Sequence, residues 1–159
     1  MNIKKIYKKI IPPDTYKDRK DFYNEDLIDN LTSQEKVLIE NMLIEDLKSR
    51  HDLLIIETLA YMKAEKSIEV IEKRLESVEE PFDKIIIAWF LYNLNKDKSR
   101  MVDIAYNNFL LINDDYVKTR LFYYLGKFKE NKLNLILETY ANNKNILLSE
   151  NSKAALERQ

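Results

Sequence analysis

The sequence predicts an all-α fold, a superhelix of stacked antiparallel helix pairs, and three observations carry that expectation. Gly occurs once, at Gly126, and Pro three times, at Pro12, Pro13 and Pro81. All-β folds need many turn residues with special backbone angles, so this scarcity favours long helices. Apolar residues recur at the spacing of one helix face through most of the chain. Finally, a Leu followed three residues later by a large apolar residue recurs at Leu59/Met62, Leu91/Leu94 and Leu125/Phe128, with Leu spacings of 32 and 34. Leu156 lies 31 further on, and Leu27 lies 32 before Leu59 in surroundings that match poorly. Such periods belong to stacked helix pairs, in which each unit needs its neighbours to cover its apolar face.

The 159 residues fit a single domain, 1–159. Residues 1–20 form a basic segment with seven Lys/Arg against two Asp. Ile3, Ile6 or Tyr7 and Ile10 fall at helical spacing with Lys4, Lys5, Lys8 and Lys9 around them. A helix this short holds anionic lipid weakly without a second anchor, so it is expected to pack as a cap and leave its lysines in water. Residues 21–50 supply capping helices, and Thr32-Ser-Gln-Glu35 has the capping-box spacing before Val37, Leu38, Met42 and Leu47.

Residues 52–158 hold the repeats. First helices are predicted over 52–62, 82–94 and 115–128, second helices over 65–78, 98–112 and 131–142, and a closing helix over 146–158. The polar breaks Lys63-Ala-Glu, Asn95-Lys-Asp and Lys129-Glu-Asn are short enough to force antiparallel pairs. Asp52, Asp97 and Asp114 suit N-caps, and Pro81 suits a first helical turn. Ile85 to Tyr92 is apolar on every side, as for a helix covered all round, so Trp89 reads as core.

The residues that carry chemistry are mostly missing. There is no Cys, which removes disulfides, thiolate metal sites and a cysteine nucleophile and suits a reducing, cytoplasmic setting. His51 is the only histidine, which removes His-His metal sites and most Ser-His-Asp arrangements; beside a predicted N-cap it reads as a surface or capping residue. One Gly cannot build a phosphate loop. Glu69, Glu72 and Glu76 share a helix face and could hold a hard cation, but Lys66 and Lys73 interleave them as in a solvated face. The longest apolar run, Ile85 to Tyr92, is too short to span a bilayer, and no apolar run follows the basic N-terminus as in a secretory signal. The expectation is therefore no enzyme activity, no catalytic residue, no metal and no cofactor.

The arrangement of Leu59, Leu91 and Leu125, with Gly126 where a small residue is common, resembles the HEAT and armadillo-like superfamily over residues 52–158. The proline usual in the first helix is absent from most units, and only Pro81 can fill that place. The resemblance implies that second helices line one surface. On a wheel of 100° per residue, their predicted core stripes are Ile68, Ile71, Leu75 and Val78; Met101, Ile104, Ala105 and Ile112; and Leu133, Ile136, Leu137 and Tyr140. Opposite those stripes lie Glu69, Glu76, Asp103, Tyr106, Leu110, Leu135 and Glu138, which form the predicted partner-binding set. Aromatic and apolar anchors among acids suit a specific protein interface with a basic partner, although ordinary helical surfaces also scatter Leu and Tyr.

Charge supports that direction. Residues 21–80 carry seven Lys/Arg against sixteen acids, and residues 81–159 twelve against nine. An acidic middle opposes wrapping nucleic acid, which needs a continuous basic surface. The superfamily includes DNA glycosylases for alkylated bases, which use Trp, Asp and Arg; Trp89, Asp83, Arg100 and Arg120 are the candidates here, and the acidic middle argues against them. In size, missing catalytic groups and acidic middle the chain is similar to small HEAT-like immunity proteins of bacterial contact-dependent growth inhibition systems. That resemblance implies a cytoplasmic antitoxin bound to a cognate toxin, basic and of nuclease type, with neither nucleic acid nor membrane as partner. The alternative is a general HEAT-like adaptor or scaffold for complex assembly.

Overall fold

The repeat leucines mark where helices stop. In the computed structural model, which describes residues 3–158, the helices are α1 (Ile3–Ile10), α2 (Tyr16–Arg19), α3 (Glu25–Asp29), α4 (Ser33–Ser49), α5 (Leu53–Tyr61), α6 (Ile68–Ser77, entered through a 3₁₀ turn at Glu65–Ser67), α7 (Pro81–Asn93), α8 (Lys98–Phe109), α9 (Asp115–Phe128), α10 (Asn131–Ala141) and α11 (Ile146–Glu157). No strand occurs among the described residues, and the fold is all-α. At the end of α5, the Ala64 amide donates to the Leu59 carbonyl and that of Lys63 to Ala60; at the end of α7, Lys96 donates to Leu91 and Asn95 to Tyr92. This is the Schellman pattern, in which a left-handed residue turns the chain back onto the last helical carbonyls. Lys63, Asn95 and Lys129 supply the left-handed residue, with φ of 54°, 59° and 54°. Each stands four residues after a repeat leucine, so the period of the sequence is also a period of backbone joints. The pattern stops there: Leu31, four after Leu27, has no positive φ.

The predicted first and second helices match α5 to α10 closely, and local caps explain why. Asp52 accepts from the Leu54 amide, Asp97 from Arg100 and Asp114 from Val117. Pro81 sits in the first turn of α7. Thr32 and Glu35 form the full capping box of α4.

The chain forms two compact units, residues 1–73 and 74–159, with the boundary inside α6. In the first unit α1 and α5 pack against α4. Ile6, Tyr7 and Ile10 are buried, while Lys4, Lys5, Lys8 and Lys9 face water as expected. The Tyr7 hydroxyl donates to Asp46 Oδ2 at 2.6 Å, and burial followed by that bond pushes its pKa up. Buried Asn24 donates to the Ile10 carbonyl and to Thr58 Oγ1, at 2.8 and 3.0 Å. Arg19 grips Asp52 with both guanidinium nitrogens, at 2.9 and 2.6 Å.

In the second unit α7 packs most extensively on α8, and the two pairs stack through α7 on α9 and α8 on α10. The closing helix α11 lies against both α9 and α10. It approaches so closely that a Cβ on Gly126 would stand 2.6 Å from the Ala155 carbonyl oxygen. Small residues make this nesting possible: Ser149 donates to the Ala141 carbonyl at 2.6 Å and Ser152 to that of Leu137.

Two expectations change. Trp89 is half-buried rather than core, while its neighbours Ile85 to Ala88, Phe90 and Leu91 are buried. Its ring stacks on Tyr92, meets the edge of Phe128 at 5.2 Å and carries Lys127 Nζ at 5.8 Å. The buried face of α8 is Met101, Val102, Ala105 and Phe109, because α8 ends at Phe109 and leaves Ile112 beyond it and Ile104 half-buried.

Candidate functional site

Helices α8 and α10 of the second unit frame an open cleft of about 420 Å³. Capping at Asp97 starts α8 so that Met101 and Ala105 turn inward, which leaves Asp103 and Leu110 facing water and Tyr106 half-buried. On α10, Leu133, Ile136 and Leu137 are buried and leave Leu135 and Glu138 outward. Phe109 and Ile136 are the buried members of the cleft, and Leu110 and Leu135 are its outer ones, 60% and 62% exposed. Tyr106, Thr139 and Tyr140 complete the wall together with Lys132. Phe109, Phe122 and Tyr140 pack ring against ring behind it, with centroids 5.2 to 6.0 Å apart, so the wall is braced from the core.

The electrostatics of the rim are less acidic than the sequence alone implies. Lys132 Nζ lies 2.5 Å from Asp103 Oδ1 and 4.5 Å from the Tyr106 ring centroid, joining the acid and the aromatic across α10 and α8. Glu76 faces Arg100 at 4.0 Å. Glu138 is exposed and has no ion-pair partner among the described residues. Glu69 belongs to the other unit, where it pairs with Lys73 at 2.7 Å, a bond that holds its carboxyl below the usual range.

Of the seven predicted contact residues, then, Tyr106, Leu110 and Leu135 come together in one cleft, Asp103 stands at its rim, Glu138 is exposed on α10 beside the turn of Leu135, and Glu76 and Glu69 lie elsewhere. Sequence reasoning missed Lys132 and Phe109. Phe109 was legible, since Val102 and Phe109 stand seven apart at core spacing. Lys132 was not, because its partner Asp103 is 29 residues away.

The residues weighed for chemistry do not converge. Arg120 lies over the Phe82 ring at 4.7 Å, and Arg100 faces Glu76. Burial, and then neighbouring Glu80, raise the pKa of Asp83. The Tyr92 hydroxyl donates to Glu130 at 2.7 Å, and burial followed by this bond pushes its pKa to about 12. His51 is exposed. Among the described residues no group of three or more His, Cys, Asp or Glu is placed to hold a metal ion, and no helix is long and apolar enough to cross a membrane. Comparison with protein-family models, with characterised proteins and with solved structures yields no match for this chain.

Proposed function

We propose that this protein is an immunity protein that binds and neutralises a cognate toxin domain, basic and of nuclease type, by protein–protein contact in the cytoplasm. The observation that carries the reading is the water-open apolar cleft between α8 and α10. Two leucines more than half exposed, beside Tyr106 and Tyr140, make a concentrated apolar site. Buried apolar and aromatic contacts slow dissociation, and Glu138, exposed on α10, draws a basic partner toward the cleft. Inhibition follows from covering the toxin's active site or substrate groove, so no catalytic group, metal or cofactor enters. The test is co-expression with the product of the neighbouring gene. Protection of the host and a stoichiometric complex are expected, and Leu110→Asp with Leu135→Asp should weaken that complex about 100-fold or more. Neither protection nor complex would end this reading.

A second reading is an adaptor for complex assembly that uses the same cleft. The pairing of Asp103 with Lys132 and of Glu76 with Arg100 favours it, because paired acids steer a basic partner less strongly. Affinity capture from native lysate separates the two: one stoichiometric basic protein supports immunity, and several substoichiometric partners support the adaptor.

A further inference from the structure

The first unit has a cleft of its own, about 240 Å³, between α1 and the segment running from α3 into α4. Ile6, Leu27 and Leu31 give it apolar walls, and Leu27 is 39% exposed although it sits on a helix. Lys5 and Lys9 enter from α1, one turn apart and both exposed, so they stand on one face of that helix. Neither has an ion-pair partner among the described residues. The acid that also lines the cleft, Glu35, is turned to the start of α4, where its carboxylate accepts from the Thr32 amide at 3.0 Å and the Thr32 hydroxyl at 2.8 Å. The cleft thus joins an apolar surface to two lysines without ion-pair partners among the described residues and one carboxylate engaged by Thr32.

We propose that this cleft binds a free, single-chain anionic amphiphile of medium length, a fatty carboxylate, with its head between Lys5 and Lys9 and its chain against Ile6, Leu27 and Leu31. Size and charge select that class. The volume of about 240 Å³ lies below the roughly 300 Å³ at which sites for drug-sized ligands begin, which suits one medium-length alkyl chain better than a two-chain lipid. A bare phosphate gains nothing from the apolar walls, and a neutral alkyl chain leaves both lysines without a counter-charge. Because both ammonium groups are exposed, the head stays in water and is spared the desolvation that burying a charge requires.

Calorimetric titration of the full chain with octanoate, decanoate and dodecanoate below their micellar concentrations tests this. One saturable site is expected, with affinity rising about fourfold per methylene until the chain outgrows the cleft. Decanol should bind about tenfold more weakly than decanoate. Lys5→Gln with Lys9→Gln should lower decanoate affinity about tenfold and leave decanol unchanged, Leu27→Asn should weaken both ligands, and Leu110→Asp should change neither, with circular dichroism confirming that each variant is helical. No saturable binding, or equal decanoate affinity in the lysine variant, overturns the proposal. So does loss of binding in Leu110→Asp, which would move the ligand to the other cleft. Sedimentation with phosphatidylglycerol vesicles but no binding of the free carboxylates would assign the lysines to a bilayer surface and overturn it as well.

Discussion

Asp52 shows how much a single side chain carries in this fold. It caps α5, takes a two-pronged grip from Arg19 and lies 3.3 Å from Arg50, while only 6% exposed. Asp52→Ala removes the cap and strands a half-buried guanidinium, and it should cost about 2–4 kcal/mol, read as a lower urea midpoint with an unchanged slope. The cap was legible in the sequence because it is local. The grip was not, because Arg19 stands 33 residues away in a segment that charge counting treats as a separate basic block. Asp83 gives the opposite sign. Its folded-state pKa is raised by burial, so the folded protein holds that proton more tightly than the unfolded chain and loses stability as pH rises through the window between the two values. Asp83→Asn should therefore raise the melting temperature at pH 7, and its advantage should shrink as pH falls toward the carboxylate range.

At the scale of helices, boundaries were readable and rotations less so. Caps and breaks fix where a helix starts and stops through residues adjacent in sequence, which is why α9 begins and ends at the predicted 115 and 128. Which face turns inward depends on the neighbour, and α8 buries Val102 and Phe109 where a wheel centred on Ile104 does not. Trp89 fails for the same reason: Ile85 to Tyr92 is apolar on every side, so nothing in that run says which side chain is left half-buried. The joints at Lys63, Asn95 and Lys129 were visible only as polar breaks. A non-glycine residue in the left-handed region is strained, so Lys129→Gly should raise stability by about 0.5–1 kcal/mol despite the added freedom of the unfolded chain. Gly126 is used for contact instead. Gly126→Ala drives a methyl group into the Ala155 carbonyl and should cost about 1–3 kcal/mol, seen in thermal melts, with the displacement carried by α11.

At the scale of the whole molecule, the proposed recognition separates charge, which acts at a distance, from packing in the α8–α10 cleft, which acts on contact. If the partner is the basic domain proposed here, raising salt from about 0.05 to about 0.5 M should slow association about tenfold and leave dissociation nearly unchanged, whereas Leu135→Asp should accelerate dissociation about thirtyfold or more; stopped-flow and surface-resonance kinetics separate the two. The closing helix adds a further consequence. Because α11 packs on α10 and is seated on α9 with no room for a methyl group at Gly126, the α10 wall of the cleft is braced from behind before the proposed partner binds. Recognition then spends little on ordering that wall. The sole glycine, buried and absent from the cleft lining, would then act on the proposed binding from a distance, and the same Gly126→Ala change that displaces α11 should weaken it while every proposed contact residue remains in the chain.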